Sequence, residues 1–563
     1  MAQIDFLRVS MRLKQSIKKL KNSISWRSKF MRVLMWLLFV LATIALVILV
    51  IECFRFGGTM TDRGLAFRFG RIVFLVGLNV LLTTAVAIVL LLVVWVKTAK
   101  SLPELKGWHL EMPESEFSAA DAGEDFSLDD YLVQEQLVFD ELDGFIESSW
   151  ESQVNGAFSR YRRDSVCNPE TVVGRNWNRT RVLEAENPIG GVLLIHGLSD
   201  SPYSLREIGL RLHREGYTVV WLRMPGHGTC PCALANVEWP DWTAAVKVGV
   251  RGLKQKLPEG KPLIMAGYSN GGALAVNYAL AAIAETSLPK IEAILLFSPM
   301  IGINPLARLF RIYHTVALVS RTVKALWSNV DAEVDPFKYS SWPTNASIQA
   351  WDMTQEVERQ LGLLEKQGRL QEIPPILAMQ SVVDSTVRVP KLISSLFEKL
   401  HNNSSELFLF DIDRFDQIAN LFNLSFEEKI FPNLEREDLP FQLTILRNAK
   451  SDSRKVILES RVGDQSCEEM LELEWPEGIV SLSHIAIPFS AGDRLYGNRA
   501  ATADTGINFG SISLRGESSA LLLSDALFVR CRYNPFYELM ENRMIDWVND
   551  VLEPVGSDTP SVS

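Results

Sequence analysis

Cysteine is scarce in this chain of 563 residues: six are scattered from Cys53 to Cys531. That spread excludes the disulfide framework of a small secreted domain. Only Cys230 and Cys232 lie close together, and no second Cys or His pair at ligand spacing accompanies them. They read as two free thiols in a loop, so a metal site is not expected. The chain also lacks internal repeats and low-complexity tracts, which sets aside repeat architectures. Beyond the first hundred residues it lacks net positive charge as well. Residues 1–100 carry 15 Lys/Arg against 3 Asp/Glu, a net of +12, whereas the rest carry 42 against 64, a net of −22. An acidic globular part has no electrostatic footprint for nucleic acid, and that partner is excluded. The basic, apolar start suits a membrane bearing anionic lipid.

What is present begins with two long apolar runs. Val33 to Ile51 and Ile72 to Val96 contain no charged residue. At about 1.5 Å per residue each can cross a hydrocarbon core of about 30 Å, and together they are too long for a cleavable signal peptide. Nine basic residues precede the first run (Arg8 through Arg32) and Lys97, Lys100 and Lys106 follow the second, while the connection holds Arg55, Arg63, Arg68 and Arg71. This bias predicts a two-pass membrane protein, of the bacterial inner-membrane kind, with both flanks and the remaining chain cytoplasmic. Leu13, Ile17, Leu20 and Ile24 recur at helical spacing among lysines, which fits an amphipathic helix on the inner leaflet and equally a solvated charged tail.

After an acidic, Pro/Gly/Ser-containing stretch over 101–130, a helix carrying Leu132, Leu137, Leu142 and Phe145 is expected to pack as a collar. From about Arg181 onward strand-like apolar runs alternate with helical patterns, as in a mostly parallel sheet with helices on both faces. The runs are Val192–Ile195, Tyr217–Leu222, Leu263–Gly267, Ala293–Phe297, Ile376–Met379 and Leu407–Phe410.

Gly267-Tyr268-Ser269-Asn270-Gly271 sits between the third of these runs and a helical stretch. A serine on so tight a strand-to-helix turn is held in a strained conformation that pushes its hydroxyl out at the carboxyl edge of the sheet, making Ser269 the candidate nucleophile. His196-Gly197-Leu198 follows an earlier strand, and an oxyanion needs two backbone N–H groups aimed at it, here those of Leu198 and Asn270. His196 reads as structural, because in this chain order the base follows the acid. Asp384, just past Ile376–Met379, is the candidate acid, with Asp411 or Asp413 as alternatives. Of the two later histidines, His401 lies at a polar helix end and His484 in a loop before an apolar segment, so His484 is the candidate base.

At these motifs, and at His196 to Ser204 and Pro225-Gly226-His227-Gly228-Thr229, the chain resembles the α/β-hydrolase superfamily, in particular bacterial serine hydrolases related to monoacylglycerol lipases and carboxylesterases. The resemblance covers roughly residues 180–490 in patches. It implies an α/β-hydrolase fold, a Ser269–Asp384–His484 triad, an oxyanion hole at Leu198 and Asn270, and a mobile cap; hydrolysis by such a triad needs no cofactor. The expected division is a basic segment over 1–32, a transmembrane hairpin over 33–97, a linker and helical lead-in over 98–175, a catalytic domain over 176–553 and a disordered tail over 554–563. Within the catalytic domain, a cap over about 304–373 would use Leu309, Phe310, Ile312, Tyr313, Val316, Leu318 and Trp327 to cover the sheet edge and shape an acyl pocket. Strand-like runs at Phe441–Leu446 and Lys455–Glu459 predict a hairpin inserted over about 412–480. The expected activity is hydrolysis of carboxylic esters, with a lipid-derived acyl ester as the small-molecule substrate and membrane lipid as a partner. A peptidase or thioesterase with the same triad, or an inactive membrane scaffold, are the alternatives.

Overall fold

The computed structural model describes Thr43, Ile48 and residues 62–553, apart from 155, 304, 321, 322, 385, 401–403, 416–429, 431, 433, 437, 464, 499–506 and 514–528. Apart from Thr43 and Ile48, the expected first span therefore lies outside the described residues, as do the amphipathic segment before it, the 554–563 tail and His401. Two compact units result, one within Met1–Glu104 and Leu309–Val330, the other within Leu105–Arg308 and Asp331–Ser563.

In the first unit, helix α1 spans Asp62–Ser101. Its stretch Val73–Ser101 is long and apolar enough to cross a membrane, by length and composition. Large side chains along it are exposed, including Phe74, Leu81 and Val94. Near its end, Ala99 packs with Ala317 and Ala325 beside Trp95 and Leu326. Lys324 Nζ donates to the carbonyl of Leu102 at 2.8 Å.

The second unit opens on helix α2, Leu128–Glu147. Ser127 and Asp130 cap it reciprocally, which satisfies two otherwise unpaired N–H groups. Its buried face is Leu128, Tyr131, Glu135, Val138, Phe139 and Leu142, while Leu137 points to solvent. The apolar spacing alone misassigned Leu137 because a charged residue, Glu135, takes an inward position. Glu135 Oε2 accepts from Arg223 Nε at 3.1 Å, and Arg223 Nη2 donates to Glu116 Oε1 at 2.8 Å. All three are nearly fully buried, and Tyr131 Oη donates to the Arg223 carbonyl at 2.6 Å. A buried guanidinium between two carboxylates ties the lead-in to the domain, since removing one partner would strand a charge in low dielectric.

Ten strands form one sheet. β1 (Arg181–Leu183), β2 (Gly190–Ile195), β3 (Tyr217–Leu222), β4 (Leu263–Tyr268), β5 (Ala293–Phe297), β6 (Ile376–Ser381), β7 (Glu406–Phe410), β8 (Gln442–Lys450), β9 (Ser453–Val462) and β10 (Gln465–Glu474) lie in the order β1-β3-β2-β4-β5-β6-β7-β8-β9-β10. From β3 to β8 neighbours are parallel; β1 joins β3, β9 joins β8 and β10 joins β9 antiparallel. Successive side chains alternate faces. Leu193 and Ile195 thus enter one core and Val192 and Leu194 the other, which is why the central strands read as unbroken apolar runs. The first core packs against α4 (Trp239–Gln255), α5 (Asn270–Ala284) and α7 (Thr344–Gln367), and the second against α3 (Arg206–Arg214) and α8 (Tyr537–Leu552). Each fully buried Leu, Val or Ile contributes about 1.5–3 kcal/mol. Helix α6, Phe310–Ser320, belongs to the first unit.

The insertion after β7 holds one strand more than the expected hairpin, β10. Nearly every residue of β10 is exposed, so it carries no apolar alternation, and its backbone pairing with β9 holds it in the sheet. Cys230 and Cys232 are free and buried at the start of a short helix, Pro231–Asn236.

Candidate active site

Ser269 follows β4 directly, with φ 54° and ψ −115°, in the half of backbone space that L-residues avoid. Such a conformation costs about 1–3 kcal/mol and persists only where its surroundings over-determine it. Here the Ser269 N–H donates to the carbonyl of Phe297 at 3.0 Å, and the Ser269 carbonyl accepts from Gly272 at 3.0 Å and Met300 at 2.9 Å. The flanking glycines exist because the backbones touch. A Cβ on Gly267 would lie 2.6 Å from Gly272 Cα, and one on Gly271 would lie 2.7 Å from the His196 carbonyl oxygen. Ser269 is 7% exposed.

The turn after β2 lies directly against this corner: a Cβ on Gly197 would sit 3.2 Å from Ser269 Cβ. Among the described residues, neither the Leu198 nor the Asn270 N–H donates to a backbone carbonyl. His196 lies under the turn, with Nε2 accepting from the Met224 N–H at 3.0 Å and Nδ1 2.9 Å from the Gly197 carbonyl. Burial drives its pKa well below the ordinary value, and the neighbouring His227 adds to the effect. It is a neutral structural imidazole whose two ring nitrogens are both engaged.

The topology sets β4, β5 and β6 side by side, so the residues after β4 and β6 emerge at the same edge of the sheet. Asp384 follows β6. His484, 100 residues later, points Nδ1 at Asp384 Oδ2 at 2.7 Å. Oδ2 also accepts from Gln380 Nε2 at 2.7 Å, while Oδ1 accepts from the N–H groups of Thr386 at 2.8 Å and Val387 at 3.1 Å. Burial alone would raise the Asp384 pKa; the His484 ring and these donors outweigh it and hold the carboxyl below its usual range. His484 is 6% exposed, and its ring centroid lies 5.5 Å from that of Tyr268, the residue before Ser269. The alternative acids are engaged elsewhere, Asp411 in an ion pair with Arg414 and Asp413 accepting from Asn448 Nδ2 at 3.0 Å.

Leu198 packs with Met300, Ile303, Ala350 and Val387, an apolar cluster beside the corner. Ala350 comes from α7, and the 309–330 stretch belongs to the same unit as α1. Sequence reasoning missed Gln380. A polar pair, Gln380-Ser381, ending an otherwise apolar strand was the available signal, because a buried amide needs a partner.

A family model described as serine aminopeptidase, S33, matches residues 186–359. The chain is related to the α/β-hydrolase superfamily. The matched range contains Leu198, Ser269 and Asn270 and ends before Asp384 and His484. A thermostable monoacylglycerol lipase from Bacillus sp. (strain H-257) is 37% identical over 95 residues, covering 17% of this chain and 37% of that protein. The chain thus spans little more than a third of that curated relative. Among solved structures, a metagenome-derived lipolytic enzyme (LipS and LipT) is similar at 22% identity and TM-score 0.32, over 41% of this chain and 87% of that one. The Paleococcus ferrophilus monoacylglycerol lipase is similar at 18% identity and TM-score 0.32, over 41% and 89%. Strand order and the elbow, the strained strand-to-helix corner at Ser269, are those of an α/β-hydrolase fold.

Proposed function

We propose that this chain is a membrane-anchored serine hydrolase that cleaves carboxylic esters, with Ser269 as nucleophile, His484 as general base and Asp384 as the group that orients the base. The observation that carries the reading is the 2.7 Å contact from His484 Nδ1 to a buried, ionised Asp384, in the same chain as a strained serine corner. With Nδ1–H donated to the carboxylate, the Nε2 lone pair is the one left to accept a proton.

The reaction would run in two halves. Nε2 takes the Ser269 hydroxyl proton as Oγ bonds to the ester carbon, and the carbonyl electrons move onto oxygen, facing the Leu198 and Asn270 N–H groups. Collapse breaks the bond to the alkoxy group, which leaves as the alcohol with the proton from Nε2. Water then gives its proton to Nε2, adds to the acyl carbon, and the acid departs as Oγ regains the proton. Each oxyanion donor contributes about 3 kcal/mol to the transition state.

Three features favour a lipid-derived acyl group. The apolar cluster at Leu198 offers a greasy wall, the matched relative is a monoacylglycerol lipase, and Val73–Ser101 has the length and composition of a membrane span. The anchor would hold the catalytic part on the cytoplasmic side, as the basic flanks argue. Peptide hydrolysis is the second reading, favoured by the serine aminopeptidase description of the matched family. Purified protein should hydrolyse p-nitrophenyl acyl esters, and Ser269→Ala should abolish it; equal turnover by that variant refutes the reading. A panel of glycerides, thioesters and aminoacyl amides separates the substrate classes.

A further inference from the structure

We propose that Lys338 is a positioning residue: paired with Asp200, it holds the turn that carries the Leu198 N–H in the orientation an oxyanion requires. This rests on the hydrolase reading above.

The turn 197–201 is short and strained, with Ser199 at φ 61°. Its internal bonds are few: Asp200 N–H to the Gly197 carbonyl at 3.3 Å and Ser201 N–H to Asp200 Oδ1 at 2.8 Å. Two consecutive residues from a segment more than 130 positions away grip two consecutive residues of the turn. Lys338 Nζ forms an ion pair with Asp200 Oδ2, and the Tyr339 N–H donates to the Ser199 carbonyl at 2.8 Å. Leu198 is the next residue back.

The grip is itself held. The N–H groups of Phe337 and Lys338 both donate to Asp335 Oδ1, at 3.0 and 3.1 Å, and Tyr496 Oη donates to the same oxygen at 2.6 Å. The Phe337 ring stacks on Tyr203 at 4.2 Å. The Lys338 ammonium lies over three rings, Tyr268 at 5.6 Å, Phe489 at 5.3 Å and Tyr496 at 5.6 Å. Tyr268 precedes Ser269, while Phe489 and Tyr496 belong to the loop that follows His484. One cation therefore touches the turn, the elbow and the segment carrying the candidate base.

Stability is a poor explanation for such a pair. Asp200 is 3% exposed and the Lys338 side chain 13%. Burying two charges costs about as much as their attraction returns, and apolar replacements are often neutral or better. What a buried pair supplies that a greasy contact does not is direction, and donor direction is what an oxyanion site depends on.

The test compares the full-length protein in detergent with its Lys338→Met/Asp200→Asn double variant, which leaves no unpaired buried charge. Activity on p-nitrophenyl butyrate is normalised to sites labelled by a fluorophosphonate. Removing an oxyanion donor costs about 100- to 1000-fold, so mis-aiming one should lower kcat about 10- to 100-fold with KM within about threefold. The acid limb of the kcat/KM profile should keep its midpoint, because the His484–Asp384 bond is untouched. A merely structural role would shift the thermal midpoint and leave kcat alone. Lys338→Gln, which still offers Asp200 a donor, should lose about tenfold and decides the matter if the double variant does not fold. Unchanged kcat in a folded variant, beside an active wild type and an inactive Ser269→Ala, overturns the positioning role alone. A wild type that neither turns over nor labels at Ser269 overturns the hydrolase reading and this one with it.

Discussion

Replacing Asp384 by asparagine should disable the protein without unfolding it, and the surrounding donors dictate why. Oδ1 accepts two backbone N–H groups, from Thr386 and Val387, at 2.8 and 3.1 Å. Those donors cannot move, so Asp384→Asn must keep its remaining oxygen on that side and turn its NH2 toward His484 Nδ1 and Gln380. Gln380 can adapt. Its Oε1 is buried with no partner, so a flip of that amide converts a clash of donors into a hydrogen bond. His484 cannot adapt without harm: facing a donor, Nδ1 must present its lone pair, which moves the ring proton to Nε2, where the base is needed. In serine hydrolases with such a triad this tautomer error costs about 10⁴ in kcat. That is about 5 kcal/mol of barrier, whereas the native fold loses only the charge of one carboxylate. The sign with pH follows from the lowered pKa of Asp384. The stability it contributes is present above the ordinary carboxylate value of 3.8 and is lost only as pH falls below it, so folding at neutral pH is where variant and wild type should be compared. Turnover of p-nitrophenyl butyrate at about pH 7.5, thermal unfolding, and the His484 tautomer by ¹⁵N NMR give the three readouts. Activity within tenfold of wild type, or a ring still protonated at Nδ1, would refute the reasoning.

Two further outcomes follow from packing and burial. Gly271→Ala drives a methyl into the backbone of Ile195 and His196 and should cost about 3 kcal/mol or more, the upper end for overpacking. Gly362→Ala, with nothing within 4 Å inside α7, should gain up to about 1 kcal/mol; chemical denaturation of both checks the contrast, and equal effects contradict it. His227 has a pKa lowered to about 4, chiefly by burial. It stays neutral when folded and takes a proton on unfolding, so it removes stability as pH falls from about 6.5 toward 4. His227→Gln should therefore flatten the pH dependence of unfolding in that window by about 1.4 kcal/mol per pH unit; parallel urea titrations at about pH 7, 6 and 5 with identical losses would contradict this.

Much of the architecture is local information. Strands buried on both faces must be apolar throughout, a serine corner between a strand and a helix needs small neighbours, and an acid-then-base order after it is a matter of counting. Six parallel-sheet strands and the elbow were legible for that reason. Three kinds of feature were decided only by tertiary structure. β10, Glu-rich and exposed, owes its form to backbone pairing with β9, which leaves no mark in side-chain patterning. The sequence favours Asp384 over Asp411 and Asp413, but its meeting with His484 depends on β6 lying beside β5 in the sheet, while Arg414 and Asn448 hold the other two. Buried charges such as Arg223 with Glu116 and Glu135, or Lys338 with Asp200, read as surface residues along the chain. Their partners lie 88 to 138 positions away. Burial of a charge is tolerated only once folding has delivered its counter-charge, and no local window contains both.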